Sequence, residues 1–285
     1  MSHDFYRRPV TMSATGQQAR LFDGLPRDVA GLAKIVQGLL VHEHIAPAYG
    51  ITLTGAQHAQ SHLRPVESML EQIAAHDPRP LATPRPAGER LVCVCRHFTL
   101  LLVAMLRTQG MPARARCGFG AYFEKGKFFD HWVVEYWNDA QGRWVLVDAQ
   151  IDERQRELFK IGIDTLDVPR DQFLIAGDAW QLCRTGKADA QAFGILDVFG
   201  LWFVASNVIR DHASLNNREM LPWDTWGVMT REDKELDTGL IDRLAALTRE
   251  PDAHFDELRV AYEKDKRLRV PEVVFNNVLN RSEAA

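Results

Sequence analysis

Residues 92–114 have the sequence VCVCRHFTLLLVAMLRTQGMPAR. From Cys95 to Gln109 the side chains are apolar nearly all round, a pattern that is typical of a central, buried helix. Gly110 stands where a C-terminal helix cap belongs, and Pro112 prevents the helix from continuing. The stretch therefore predicts a buried helix that begins at Cys95.

Three strand-like segments follow the predicted helix, and the turn sequences EKGK and NDAQGR separate them. The segments cover residues 113–123, 128–137 and 144–150. Connections this short join antiparallel strands. A buried helix followed by an antiparallel meander predicts an α+β fold.

The rest of the chain has a mainly helical pattern. Apolar residues at helical spacing predict two helices before Cys95, at 26–46 and 65–75, and further helices at 170–184, 196–212, 238–248 and 253–265. No Ser/Gly-rich linker and no internal repeat divides the chain. We therefore expect an N-terminal arm at 1–25, an α+β core at 26–155 and a helical accessory region at 156–285, which either packs on that core or forms a separate folding unit.

Composition excludes several classes of protein. With 46% apolar and 25% charged residues, the chain of 285 residues matches an ordinary soluble globular protein. The net charge of −4 is small and the basic residues are dispersed, so we expect no nucleic-acid partner. The N-terminal sequence MSHDFYRRPV lacks an apolar signal segment, and the longest apolar run, 100–106, is too short to span a membrane. These features predict a cytoplasmic location, where the four cysteines would be thiols.

Three residues stand out by their position and chemistry. Cys95 begins the buried helix, where backbone N–H groups and the helix dipole favour a thiolate and offer donors to an oxyanion. His131 lies early in the second strand, and Asp148 lies at the end of the third. Each has an ordinary structural explanation when taken alone. Together they have the residue types of a nucleophile, a general base and a group that orients the base.

The hairpin between the second and third strands predicts that two of these residues face each other. If 138–141 form a four-residue loop, Trp137 pairs with Gly142, and counting back places His131 opposite Asp148. Directly opposed side chains have Cβ atoms about 5 Å apart, which is close enough for a carboxylate to orient an imidazole. This prediction depends on the loop assignment.

The segments VCVCRHFTLLLVAMLRTQGMPAR, DHWVVEYWN and GRWVLVDAQ, in this order, resemble the core of the transglutaminase-like superfamily, which is papain-like in fold. The resemblance covers residues 88–150. It implies a buried helix carrying the cysteine, packed on an antiparallel sheet, with a mostly helical C-terminal accessory region outside the match. It also implies that Cys95 is the nucleophile, His131 the base and Asp148 the third member of a triad.

The resemblance implies a thiol enzyme that needs no metal or cofactor. Its expected substrate is a peptide-like or small amide, which would be attacked to give a thioester acyl-enzyme. Microbial relatives in this superfamily are more often hydrolases than crosslinking enzymes, so we expect hydrolysis. Transfer of the acyl group to an amine, as in transglutaminases, and a catalytically silent binding module of the same fold remain alternatives. The sequence does not predict an oligomeric state.

Three positions depart from the family pattern around the nucleophile: Cys93, His97 and Thr99, the last of which replaces a small alanine. The first two adjoin Cys95 most closely. Cys93 replaces a frequent glycine, and we expect it to be a buried, neutral thiol. His97 stands where the family often has an acid, and we expect it to alter the charge near the thiolate. None of the three positions belongs to the triad.

Other motifs allow competing interpretations. His58 and His62 have the spacing of helical metal ligands, but Ala59 stands where a zinc hydrolase would have its glutamate. Cys93 and Cys95 lack a second cysteine pair to complete a zinc site. We therefore predict no metal site.

Several tryptophans lie outside the triad. Trp223, Asp224 and Trp226 fall in the stretch LPWDTWGVM at 221–229. They are either core residues or, together with Trp132, residues that contact the substrate.

Overall fold

The structure is a computed structural model that describes residues 2–285. These residues form two compact units, each described here by itself. The first contains the chain up to Ala115 together with Val133–Val168, and the second contains Arg116–Trp132 together with Pro169–Ala285. Within the second unit, residues 116–132 pair with strands from the second half of the chain. The predicted division into an arm, a core and an accessory region stays a prediction.

The chain combines helices with mainly antiparallel strands, so the predicted α+β fold is confirmed. The α-helices are α1 Ser2–Phe5, α2 Val29–Leu39, α3 Gly55–His58, α4 Val66–His76, α5 Cys95–Thr108, α6 Glu153–Phe159, α7 Ala176–Arg184, α8 Leu201–Leu215, α9 Thr238–Arg249 and α10 Phe255–Lys264. The strands are β1 Leu40–His42, β2 Leu91–Cys93, β3 Ala113–Gly120, β4 Phe128–Asn138, β5 Arg143–Val147, β6 Phe173–Ile175, β7 Phe193–Ile195, β8 Val198–Phe199, β9 Asp224–Thr225, β10 Val273–Asn276 and β11 Arg281–Ala284.

Helix α5 lies in the core of the first unit, as its sequence predicts. Every residue from Cys95 to Arg107 is buried, and α2 and α4 pack against the helix. The helix ends before Gly110, which has a φ of +78° that favours glycine. The predicted central helix and its ends are therefore confirmed.

The helix predicted at 26–46 is shorter than expected. Asp28 caps α2 by accepting a hydrogen bond from the N–H of Gly31, and the helix ends at Leu39. The following residues form β1, which pairs in parallel with β2 and aligns His42 with Cys93. The pairing of Leu40–His42 with a distant strand overrides the local helical pattern, which is why the sequence alone did not reveal the boundary.

The hairpin of β4 and β5 has a different register from the predicted one. Asn138 pairs with Arg143, so the loop is 139–142, and Gly142 completes it with a φ of +62°. The side chain of Asn138 accepts a hydrogen bond from the N–H of Gln141, which fixes this loop. The ladder ends at Val134 and Val147. The predicted pairing of His131 with Asp148 is therefore wrong.

The N-terminal residues belong to the first unit. The carbonyl of Tyr6, a fully buried residue, accepts a hydrogen bond from the N–H of Ala113 at 3.0 Å. Arg107 of α5 donates to the hydroxyl of Ser13 at 2.9 Å. The predicted arm is thus fixed by backbone and side-chain hydrogen bonds.

The main sheet has six strands, in the order β6–β3–β4–β7–β8 with β5 paired to β4, and the second unit includes residues 116–120 of β3 and 128–132 of β4. Helices α7, α8 and α9 pack against one another. The strands β9, β10 and β11 form a separate antiparallel sheet. The predicted helices at 238–248 and 253–265 correspond to α9 and α10, whereas β6, β7 and β8 occupy residues that were assigned to helices or their flanks.

Among residues 2–285, no helix has the length and apolarity that a bilayer crossing would require.

Candidate active site

Cys95 is the first residue of α5, a helix of 14 residues. Val94 precedes it in an extended conformation, with φ −124° and ψ 173°, so the chain turns from strand to helix at the cysteine. The side chain is 5% exposed. A sulfur at this position is close to the N-terminal backbone N–H groups of the helix, which stabilise negative charge.

His97 closes the first turn of α5. Its Nδ1 accepts a hydrogen bond from the N–H of Val94 at 3.3 Å, and its Nε2 lies 2.8 Å from the carbonyl oxygen of Leu63. Because a backbone N–H can only donate, Nδ1 carries no proton and Nε2 donates to Leu63. Burial lowers the pKa of His97 to about 3, and the positive charge of Arg96 contributes. His97 is therefore neutral and acts as a helix cap, so it brings no charge of its own to this turn.

Cys93 lies at the end of β2, and its carbonyl accepts a hydrogen bond from the N–H of Glu43 at 2.8 Å. The thiol is fully buried. Burial raises its pKa well above the usual value, and negative charge on Cys95 and Glu43 raises it further. The prediction of a buried, neutral thiol at Cys93 is confirmed.

Asp148 directly follows β5 in the first unit and is almost fully buried. Its N–H donates to the carbonyl of Thr165 at 2.8 Å, and its Oδ1 accepts from the N–H of Gln150 at 3.0 Å. These two hydrogen bonds hold the carboxylate at the point where the strand ends. Beyond it, Gln150 Nε2 donates to Gln155 Oε1, so the polar groups after the strand are linked.

His131 lies in the part of β4 that belongs to the second unit, and it is 2% exposed. Aromatic rings surround the imidazole: the ring centroid of Phe123 lies at 5.0 Å, that of Tyr122 at 6.1 Å and that of Phe173 at 6.5 Å. Such an enclosure restricts the orientation of the imidazole. Trp132 comes next in the strand and therefore points to the opposite face of β4 from His131.

Asp130 is a polar neighbour of His131 that the sequence did not single out. Its Oδ1 accepts a hydrogen bond from Asn207 of α8 at 2.7 Å, and Arg210 donates in turn to Asn207. Burial raises the pKa of Asp130, although Arg210, Asn207 and His131 oppose the rise. The sequence Asp-His-Trp at 130–132 could have pointed to Asp130, because an acid next to the expected base is unusual in a buried strand.

Glu135, the acid of the same strand, has a structural partner. In the first unit its carboxylate accepts a hydrogen bond from Arg114 Nε at 2.6 Å, and both side chains are buried. The guanidinium carbon of Arg114 lies 3.9 Å from the ring centroid of Trp144. Glu135 thus helps to hold the hairpin in place.

The residues of the 221–229 stretch are held by hydrogen bonds within the second unit. The carboxylate of Asp224, which is fully buried, accepts from the N–H of Leu221, and the indole of Trp226 donates to the carbonyl of Leu268 at 3.1 Å. The carbonyl of Trp223 accepts from Asn277. Trp132 is 1% exposed. These contacts give structural roles to Asp224 and Trp226, and substrate contact by any of the four residues stays a prediction.

His58 and His62, the histidines considered as metal ligands, lie in the first unit, where His58 and a third histidine, His44, are near the acid Glu43. His58 Nδ1 and His44 Nε2 lie 3.5 Å and 3.6 Å from the carboxylate of Glu43. His58 ends α3, and His62 ends a short 3-10 helix at Ala59–His62, so the two do not share one regular helix. Within residues 2–285, no group of three or more His, Cys, Asp or Glu side chains is arranged to hold a metal ion.

Part of this chain is similar to known proteins. Residues 74–149 match the model of the transglutaminase-like superfamily. A solved structure of a proposed cysteine protease from Cytophaga hutchinsonii is similar at 15% sequence identity with a TM-score of 0.33. The similarity covers 61% of this chain and 45% of that one, so the chain spans less than half of that protein. A search of curated proteins found no match.

The matched segment contains Cys95, His131 and Asp148, and much of the first unit and nearly all of the second lie outside it. The predicted resemblance is therefore confirmed: residues 74–149 are transglutaminase-like, and a cysteine-dependent enzyme is the class of protein that this match supports.

Proposed function

We propose that the chain is a cysteine-dependent hydrolase that cleaves an amide or peptide-like bond through a thioester on Cys95. The observation that carries this proposal is the position of Cys95 as the first residue of the buried helix α5, in a segment that matches a family of thiol enzymes. His131 and Asp148 enter the proposal through the same match, as the base and the residue that orients it.

The reaction has two stages. His131 removes the proton of Cys95, and the thiolate attacks the substrate carbonyl to form a tetrahedral oxyanion that backbone N–H groups at the start of α5 stabilise. The oxyanion collapses, His131 gives its proton to the leaving amine, and the acyl group remains on sulfur. Water then attacks the thioester while His131 takes one proton from the water. The carboxylic acid product is released, and His131 returns that proton to the sulfur of Cys95.

The neutral state of His97 favours this chemistry. A carboxylate in its place would put a second negative charge near the thiolate and oppose its formation. A neutral imidazole closes the helix turn without that repulsion. The high pKa of the Cys93 thiol leaves Cys95 as the nucleophile of the pair.

The proposal is tested by trapping the acyl-enzyme. The chain is incubated with a p-nitrophenyl ester, and the adduct is located by mass spectrometry in the wild type, in Cys95→Ala and in Cys93→Ala as the matched control. We expect one acyl group on Cys95, retained in Cys93→Ala, and slower acylation in His131→Ala and Asp148→Asn.

The fate of the acyl group separates the alternatives. Decay of the adduct to the free acid at a rate that an added primary amine does not change supports hydrolysis. Formation of an amide in proportion to added amine would instead identify an acyltransferase. Absence of any adduct on Cys95, with the chain folded, would favour the catalytically silent binding module.

A further inference from the structure

A groove of about 430 Å³ lies between α9 and α10 in the second unit. It uses none of the residues of the proposed triad. Pockets of about 300–1,000 Å³ accommodate small molecules, so this volume suits a compact ligand better than a folded partner. The groove is therefore a candidate binding site for a small molecule, separate from the triad.

The floor and walls of the groove are apolar. Leu240 and Leu244, one helical turn apart on α9, are buried, and Leu268 closes the floor beyond α10. Ala261 on α10 leaves room because its side chain is small. Val260 lines the groove and is nevertheless 46% exposed. An apolar ligand in the groove would cover this side chain and gain free energy from doing so.

The rim of the groove is positively charged. Its ionisable residues are Arg243, Lys264, Arg267 and Asp265. Arg267 holds the Asp265 carboxylate at 2.7 Å and also lies 3.5 Å from Asp237. Within residues 2–285, neither Arg243 nor Lys264 has an acid at ion-pair distance. The lining thus has three cations and one carboxylate, and the nearby Asp237 reduces this excess of positive charge without cancelling it.

One end of the groove is held in a fixed position. The indole of Trp226 donates to the carbonyl of Leu268, and the N–H of Val228 donates to the carbonyl of Arg267 at 3.2 Å. The chain at Gly227 passes so close that a Cβ atom there would lie 1.8 Å from the carbonyl oxygen of Arg267. The segment that closes the floor is therefore not free to collapse into the groove.

We infer that this groove binds a small amphiphilic carboxylate, with an alkyl chain along the leucines and its carboxylate between Arg243 and Lys264. The apolar lining accounts for the alkyl chain, and the excess of positive charge at the rim, with no acid of residues 2–285 in salt-bridge contact with Arg243 or Lys264, accounts for the negative head group. The occupant is a free small molecule.

Binding is tested on the full chain by isothermal titration calorimetry with decanoate. Butyrate has the same charge as decanoate and a shorter alkyl chain. Decyltrimethylammonium has an alkyl chain of similar length and the opposite charge. We expect decanoate to bind and both analogues to bind at least tenfold more weakly. Loss of one cation weakens a partly exposed charge pair by about fivefold, so we expect that effect for Arg243→Gln and for Lys264→Gln. Lys266→Gln, a charge change outside the lining, is the matched control and should leave the affinity unchanged.

Two further variants test the location. Ala261→Leu fills the groove and should abolish binding, and Val260→Glu, at an exposed position that folding tolerates, places a negative charge on the wall and should do the same. Equal affinity for the cationic analogue, or unchanged affinity in the folded Val260→Glu variant, would overturn the inference. So would binding of a peptide with an apolar C-terminal residue in the absence of decanoate binding, since that would identify a protein ligand.

Discussion

The backbone N–H of Val94 donates to Nδ1 of His97 at 3.3 Å, across the turn that carries Cys95. The same imidazole donates through Nε2 to the carbonyl of Leu63. A single neutral side chain thus satisfies a buried N–H at the start of α5 and a partly buried carbonyl of another segment. This arrangement is the imidazole counterpart of a capping box, in which Glu or Gln at the third helical position accepts from the N-cap N–H.

Replacement of His97 tests the capping role. Since His97→Ala leaves the Val94 N–H and the Leu63 carbonyl without this partner and opens a cavity, we expect a loss of about 2–4 kcal/mol in the free energy of unfolding. Gln retains an acceptor and a donor, so His97→Gln should lose about 1 kcal/mol. Urea denaturation measures both variants, and equal losses would contradict the capping role.

Acidification tests the neutral state of His97. The unfolded chain takes up a proton at His97 near pH 6.5, whereas the folded chain does so only near its pKa of about 3. Because the unfolded state binds more protons in this interval, stability is lost as the pH falls from about 6.5 towards 3. The stability advantage of wild type over His97→Gln should therefore narrow between pH 7 and pH 4. An advantage that stays constant with pH would show that folding does not lower the pKa of His97.

Removing one partner of the buried ion pair of Arg114 and Glu135 should lower the free energy of unfolding. Glu135→Gln leaves the buried Arg114 without its counter-charge, and such changes cost about 3–5 kcal/mol. The double variant Arg114→Leu, Glu135→Leu removes both charges, so we expect it to be more stable than Arg114→Leu or Glu135→Leu alone. Chemical denaturation of all three gives the coupling energy. Additive losses would contradict a direct pair.

Gly227 should tolerate no side chain. It has a φ of +56°, and an added Cβ would meet the Arg267 carbonyl. We expect Gly227→Ala to lower the free energy of unfolding by about 3 kcal/mol or more. Gly186 in the same unit has a φ of +68° with open space around it, so Gly186→Ala should cost about 1 kcal/mol from backbone conformation alone. Equal losses in thermal unfolding would show that the close approach at Gly227 does not matter.

The sequence predicted features that depend on local pattern better than those that depend on distant pairing. Helix α5 was predicted with its ends because its residues are apolar all round and Gly110 and Pro112 follow it. The register of β4 and β5 was wrong, since Asn138 and the positive φ of Gly142 place the loop one residue later. Short strands such as β1 exist only through a distant partner, and no local pattern marks them.

In the candidate site, too, local pattern was predictive and contacts with distant residues were not. The residue types and spacing of the motif were enough to choose Cys95 and to expect a neutral Cys93. The role of His97 depends on the carbonyl of Leu63, which is 34 residues away in sequence and invisible to local pattern. Asp130 likewise acquires its partner Asn207 only when α8 packs on the sheet of the second unit.

The central claim is that Cys95 is the activated thiol of this chain, and the rate of alkylation by iodoacetamide as a function of pH tests it most directly. Cys183, which is partly exposed and whose pKa burial raises to about 11, provides an internal reference. We predict one fast-reacting thiol below pH 7 that is lost in Cys95→Ala, retained in Cys93→Ala and slowed in His131→Ala. Fast labelling that survives Cys95→Ala, or labelling of Cys95 no faster than that of Cys183, would contradict the account.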